Sequence, residues 1–161
     1  MKTKILCLFL AVPWLLKADP SSQMQEASVY AEAGRLDRAQ AIYRALLDEP
    51  LTAPQRNTIT YNLGVTLMEQ RRWEEAIKLF YELAPTAQDS PLLRYRYHYN
   101  LAVALLAYTE EREGTYSTDD PAFIDRFKWL KAVIQLARQE LNEADRAYCV
   151  LLSAKGVPTC T

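Results

Sequence analysis

Histidine, cysteine and glycine are scarce in this chain. His98 is the only histidine, and there are three cysteines and four glycines among 161 residues. A zinc site draws on clustered histidine and cysteine, and His98 has neither residue type near it in sequence, so we expect it to pack or to face solvent. A glycine loop for phosphate and a strained turn around a serine are also missing. The sequence therefore predicts a protein that is not an enzyme and that uses no metal and no cofactor.

Neither sign of charge dominates the composition. The chain has 19 basic and 20 acidic residues and a formal net charge of −1. Because these charges are interspersed, they create no broad field that would attract nucleic acid or anionic lipid, and we expect no nucleic-acid binding. Hydrophobic residues make up 50% of the chain, and its length fits one domain with a buried core.

The first 18 residues differ from the rest of the chain. Lys2 and Lys4 precede an apolar run from Ile5 to Leu16, and Ala18 provides a small residue at a cleavage position. This run of about 12 residues is shorter than the roughly 20 that a membrane-spanning helix needs. We predict a signal peptide over residues 1–18, cleaved near Ala18, and a periplasmic or secreted protein. The alternative is an uncleaved N-terminus that anchors the protein in a membrane.

Export would leave two cysteines, Cys149 and Cys160, because Cys7 departs with the leader. An even pair in an oxidising compartment favours a disulfide. Gly156 and Pro158 would end the last helix and let the tail, residues 156–161, fold back to make that bond. Alternatively, Cys149 packs as a small apolar residue and Cys160 is free at the chain end. The sequence leaves both readings open.

Residues 20–155 divide at proline and glycine into pairs of helical patterns. Each pattern repeats apolar residues at the three- and four-residue spacing of an amphipathic helix. The final pair is separated by a polar loop, residues 112–120, and its second helix is unusually long. The predicted helices span 21–33, 36–48, 53 to about 70, 73–84, 91 to about 111, and 121 onwards.

Similar segments recur along the chain. YNLGVTLM at 61–68 is followed by YNLAVALL at 99–106. At an offset of about 37 residues, Arg35, Leu36, Ala39, Tyr43 and Leu46 correspond to Arg72, Trp73, Ala76, Phe80 and Leu83. A period of this size is typical of arrays of helical hairpins. We expect the recurring small residues to lie where paired helices touch. In the last helix, Trp129, Ala132 and Leu136 repeat the spacing of Trp73, Ala76 and Phe80.

At these residues the sequence resembles the tetratricopeptide repeat, a two-helix unit of about 34 residues. The best unit, 57–90, has Leu63, Gly64 and Leu67 on its first helix and Trp73, Ala76, Phe80 and Leu83 on its second. Thr60 and His98 replace a bulky residue, and Arg71 replaces a turn glycine. The resemblance implies an all-α fold of antiparallel helical hairpins, stacked as a short right-handed solenoid with a long C-terminal capping helix. Its units would be about 20–52, 57–90 and 91–140.

In this family the first helices of successive hairpins line a concave groove that holds peptides. Asn62 and Arg96 match two positions of a family clamp for a C-terminal carboxylate, but Met24, Ser28 and Asn100 differ from its other members. We therefore expect a mixed aromatic, apolar and amide groove for an extended or helical segment. By resemblance, the groove residues are Tyr61, Asn62, Val65, Met68, Arg96, Tyr99, Asn100 and Val103.

The resemblance and the leader together imply an exported adaptor that binds another protein. Tyr61, Tyr99 and Arg96 are the strongest candidates for anchors, because aromatic residues and arginine dominate interface hot spots. Two other functions remain open. If the final helix and the outer faces bind the partner, the chain would be a structural subunit of a bacterial envelope assembly, associated with a membrane complex. It would be a cytoplasmic secretion chaperone if the leader were not cleaved.

Overall fold

The computed structural model describes residues 19–84, 90–113 and 123–156, and within these ranges all regular structure is helical. This confirms the all-α prediction, and the first four helices begin and end within two residues of the expected positions. The helices are α1 (Pro20–Glu32), α2 (Leu36–Leu47), α3 (Ala53–Glu69), α4 (Trp73–Leu83), α5 (Pro91–Glu113) and α6 (Phe123–Ala154).

Capping residues define where the first helices of the hairpins begin. Thr52 precedes α3, and its hydroxyl accepts the backbone N–H of Gln55 while the Gln55 side chain accepts the N–H of Thr52 at 3.0 Å. This reciprocal arrangement satisfies two backbone donors that the helix itself cannot pair. Asp19 caps α1 through the N–H of Ser21 at 3.1 Å. These local signals fix the starts of α1 and α3 before any packing is considered.

The turns inside the first two hairpins share one backbone shape. Gly34 has φ 70° and Arg71 has φ 60°, and in each turn the following residue donates its N–H to a carbonyl five residues earlier, at 2.8 and 2.9 Å. This is the left-handed helix ending that glycine adopts without strain. Arg71 takes the same conformation at a cost of order 1 kcal/mol. The second turn therefore has the same shape as the first, although it contains Arg71 at the position of the turn glycine.

The two helices of the second hairpin meet at Gly64. A Cβ atom on Gly64 would lie 2.7 Å from Cε1 of Phe80, and Gly64, Phe80 and Ala76 are all buried. The prediction that small residues mark helix contacts is confirmed at this hairpin. The largest fully buried side chains around it are Tyr43, Leu46, Ile59, Thr66, Leu67, Phe80, Leu83, Tyr97 and Leu101.

The hairpins stack in chain order. α1 packs on α2, α3 on α4 and α5 on α6, while α2 also packs on α3 and α4 on α5. The first helices α1, α3 and α5 contact one another in succession. Such nearest-neighbour stacking, with one helix of each hairpin on a shared inner side, is the architecture of a tetratricopeptide-like solenoid. The long α6 closes the stack at its C-terminal end.

The segment of α6 whose spacing resembles that of α4 does not form its buried face. Trp129 is 39% exposed and Ala132 is also exposed, so the Trp129, Ala132, Leu136 spacing does not reproduce the contact seen in α4. Ala137, Ala144 and Ala147 are buried instead. Ala137 and Ala144 are seven residues apart, a spacing that keeps one face of a long helix against a long partner. The long contact between α5 and α6 therefore uses Ala137 and Ala144, which belong to the regular apolar spacing of the last helix, and not the spacing that resembles α4.

Contacts along this seam show that α5 and α6 are antiparallel. The Tyr108 and Trp129 rings are 5.8 Å apart between centroids, and those of Tyr95 and Tyr148 are 5.3 Å apart. The later residue of α5 contacts the earlier residue of α6, and the earlier residue of α5 contacts the later residue of α6. The antiparallel arrangement expected for the third hairpin is therefore present.

A Gly64→Ala substitution should destabilise the protein. The added methyl group would force the buried Phe80 ring to move, which we expect to lower the free energy of unfolding by about 1–3 kcal/mol, although alanine's helix propensity offsets part of the loss. Urea unfolding followed by circular dichroism measures this change. Combining it with Phe80→Leu should cost less than the sum of the two single losses. A gain in stability from Gly64→Ala would contradict the assigned contact.

Candidate binding groove

The expected groove residues lie on the inner helices α3 and α5. Each of the eight is at least partly exposed, so each is available to a ligand. The α3 set is Tyr61, Asn62, Val65 and Met68, and the α5 set is Arg96, Tyr99, Asn100 and Val103. Met68, however, also packs against the hydrophobic core, so its side chain is shared between the core and the groove.

Tyr61 joins the core to the groove. Its ring lies 6.2 Å from the Phe80 ring between centroids, and its hydroxyl accepts a hydrogen bond from Nδ2 of Asn100 at 2.8 Å. Burial raises the pKa of Tyr61, and the positive charge of Arg96 acts in the opposite direction. The structure therefore brings Tyr61, Asn100 and Arg96 together across the junction of α3 and α5.

Two pockets open beside these residues. The α1–α3 pocket has a volume of about 220 Å³ and includes Tyr61, Asn62 and Val65 in its lining. The α3–α5 pocket has a volume of about 400 Å³ and includes Arg96. Met68, Tyr99, Asn100 and Val103 line neither pocket. The expected set is thus distributed over two pockets and the surface between them.

The structure adds an apolar line on α5 that the sequence analysis missed. Leu92, Tyr99 and Leu106 are 44%, 46% and 40% exposed, and they are spaced by seven residues. On a helix this spacing places three side chains on nearly the same face, with Arg96 and Val103 between them. We call these three residues the α5 stripe. The seven-residue spacing from Tyr99 was the signal in the sequence that could have identified it.

Two acidic residues of the groove were also missed. Glu32 and Glu69 both line the α1–α3 pocket, one from each helix. They are 37 residues apart, which is the offset between the first two repeats. Equivalent repeat positions therefore place two carboxylates at one pocket. The signal for this pair in the sequence is the shared offset of 37 residues.

His98 belongs to a buried cluster between α5 and α6. Its Nδ1 lies 2.5 Å from Oε2 of Glu140 and its Nε2 lies 2.7 Å from the hydroxyl of Tyr97. The His98 and Glu140 side chains are each only 12% exposed. Among the residues that the structure describes, no group of three or more histidine, cysteine or acidic side chains could hold a metal ion. The geometry assigns His98 to helix packing.

The leader and residues 157–161 of the C-terminal tail, which include Cys160, lie outside the described residues. Cys149 is half-buried on α6 and is disulfide-bonded. Its pairing with Cys160 remains a prediction. Within residues 19–84, 90–113 and 123–156, no helix has both the length and the apolar character that crossing a membrane requires.

These features define a helical-repeat scaffold with an exposed inner groove. The family model for the tetratricopeptide repeat matches residues 24–91, which cover nearly all of the first two hairpins. Comparison with curated proteins finds no significant match. Comparison with solved structures finds none either. Tetratricopeptide repeats in general hold other proteins, so the matched residues 24–91 are similar to a protein-interaction scaffold.

The stability of the protein should fall at alkaline pH because of Tyr97. Burial, followed by the negative charge of Glu140, raises the pKa of Tyr97 from 10.0 to about 12. The folded state therefore favours the neutral phenol, and this contribution is complete below about pH 10 and is lost as the pH rises toward 12. Denaturant unfolding at a series of pH values measures the decline.

Tyr97→Phe should flatten this alkaline decline, since phenylalanine has no proton to lose. At neutral pH the variant should lose about 0.5–1.5 kcal/mol with the hydrogen bond to His98. Tyr99→Phe, at an exposed position on the same helix, is the control and should keep the wild-type profile. An unchanged alkaline decline in Tyr97→Phe would show that other groups cause it.

Proposed function

We propose that this chain is an exported adaptor that binds a segment of another protein along the groove of α1, α3 and α5. The α5 stripe carries the proposal. Its three large apolar side chains are 40% to 46% exposed in one line, whereas isolated exposed apolar residues are ordinary on soluble proteins. Tyr99 and Arg96 provide the residue types that most often anchor a partner.

The outer side of the array has a different character. Arg44 of α2 pairs with Glu75 of α4 at 3.0 Å, and Lys78 pairs with Glu82 at 4.0 Å. Such exposed ion pairs are typical of a solvated surface and contribute little to binding. By contrast, Arg96 has no ion-pair partner among the described residues. Arg96 and the α5 stripe thus give the groove both a charge and apolar area for contact with a ligand.

Export is the second part of the proposal. Lys2, Lys4 and the apolar run before Ala18 have the composition of a signal peptide. The disulfide at Cys149 supports the same location, because disulfides persist mainly in oxidising compartments. We infer that the mature protein begins near Asp19 and acts in the periplasm or outside the cell.

A structural subunit of an envelope assembly is the second candidate function. It is favoured by Ile134, Tyr148 and Val150, which are 40%, 46% and 46% exposed on α6. These side chains offer a contact surface outside the α5 stripe. In such an assembly, the long final helix rather than the groove would carry the interaction with a membrane complex.

Substitutions in the groove should weaken partner capture and leave the fold intact. Tyr99→Ala and Arg96→Ala remove exposed side chains, so helicity should be unchanged, while each should reduce affinity by about tenfold or more. The measurement is affinity capture from an envelope fraction, with co-purifying proteins quantified by mass spectrometry. Tyr81→Ala on α4 is the matched control, since Tyr81 is 43% exposed and Tyr99 is 46% exposed.

Equal capture by all variants would exclude the groove. Loss of capture with Ile134→Ser or Tyr148→Ala, and not with Tyr99→Ala, would support the envelope-subunit function instead.

The mature N-terminus should begin near Asp19. Intact-mass measurement of the protein from fractionated cells should find a chain shortened by residues 1–18 in the periplasm or medium. Intact Met1 in the membrane fraction would support the anchored alternative. Intact Met1 in the soluble cytoplasmic fraction would favour the secretion chaperone.

A further inference from the structure

The two pockets of the groove carry opposite charge. Glu32 and Glu69 line the α1–α3 pocket, whereas Arg96 is the charged residue of the α3–α5 pocket. Glu32 and Glu69 have no ion-pair partner among the described residues, and neither has Arg96. A ligand that lies across both pockets therefore meets uncompensated negative charge at one place and positive charge at the other.

The α1–α3 pocket is suited to a single cationic side chain. Its volume of about 220 Å³ is below the roughly 300–1,000 Å³ of pockets that enclose a drug-sized molecule. Tyr61 contributes a partly exposed ring to its lining, and aromatic rings attract cations through their electron-rich faces. Tyr43 also lines the pocket, but it is 1% exposed and its hydroxyl contacts the Ser28 hydroxyl at 3.0 Å. Asn62 adds an amide. One aromatic ring, an amide and carboxylates from two helices form a site with the chemistry of lysine or arginine recognition.

Several other acidic side chains pair with a basic side chain on a neighbouring helix. Glu74 contacts Arg112 at 3.2 Å, Glu75 contacts Arg44 at 3.0 Å, and Glu140 contacts His98 at 2.5 Å. Glu32 and Glu69 instead bring two charges of the same sign to one pocket, which is unfavourable without a counter-charge. A bound cation would remove this repulsion, whereas the pairs elsewhere already stabilise the array itself.

The spacing of the pockets sets the length of the segment. The acidic side chain of the ligand would pair with Arg96, which lies by Tyr61, and Glu69 is eight positions further along α3 than Tyr61. At the rise of an α-helix this separation is about 12 Å. An extended chain covers that distance in about four residues. The opposite charges of the ligand should therefore be separated by about that number of positions.

We propose that the groove selects an extended protein segment in which a lysine or arginine enters the α1–α3 pocket and an acidic side chain pairs with Arg96. The inference rests on the proposed function of the groove and names the chemistry of its partner. Apolar side chains between the two charges contact Tyr61 and the α5 stripe. Neither charge alone defines the segment, because each pocket selects one of them.

Selection from a random library of displayed 12-residue peptides tests this proposal. Peptides that bind the wild-type protein should be enriched in a basic and an acidic residue about four positions apart. The variant Glu32→Gln/Glu69→Gln should lose the enrichment in lysine and arginine and keep that in acidic residues. Arg96→Gln should show the reverse loss. The control Glu26→Gln/Glu82→Gln, on exposed acidic residues outside both pockets, should select the wild-type pattern.

Titration of one selected peptide, synthesised with blocked termini, supplies the affinity. Replacing its basic residue by glutamine should weaken binding to the wild-type protein about tenfold and should have little effect on binding to Glu32→Gln/Glu69→Gln. Enrichment without basic residues, or no enrichment of any peptide, would overturn the proposed selection.

The proposed function can survive such a failure. If Tyr99→Ala still reduces capture from the envelope fraction, the groove binds a partner by other chemistry. If Tyr99→Ala and Arg96→Ala capture as much as the wild type, the groove function itself fails.

Discussion

The contact between Gly64 and Phe80 determines most of the geometry described above. Because Gly64 has no side chain, the Phe80 ring of α4 can lie directly against α3. The same ring contacts Tyr61, one turn earlier on α3, and Tyr61 in turn accepts the hydrogen bond from Asn100 of α5. A packing constraint inside one hairpin thus positions the side chain that joins two inner helices. This chain of contacts links the groove to the core.

The first two hairpins could be predicted from the sequence because their signals are local. Thr52 with Gln55, the prolines in the first turns and the glycine at residue 34 each fix a boundary within a few residues of themselves. The register of α6 could not be predicted in this way. Several alanines occur along it, and only the position of α5 decides that Ala137 is buried while Ala132 is exposed. Packing between distant segments supplied information that the local pattern lacks.

The groove shows the same division between what the sequence could and could not predict. The resemblance predicts the helix face that carries Tyr61, Asn62 and Arg96, because repeat position determines which side of a helix faces inward. It gave no information on charge, since arrays of one architecture hold many different partners. The meeting of Glu32 and Glu69 at one pocket depends on how closely α1 and α3 approach. The equivalence of their repeat positions does not by itself show that the two side chains line the same pocket.

The His98–Glu140 pair has a consequence for the alignment of the last two helices. Alanines spaced by seven residues would tolerate a slip of α6 along α5 by one heptad, since apolar faces with a regular repeat match in several positions. After such a slip, two polar side chains that are now only 12% exposed would be separated from each other. Losing a buried charged partner is strongly destabilising. The pair therefore favours one register between α5 and α6 over the slipped one. This register determines the position along the helix axis at which α5 exposes its side chains.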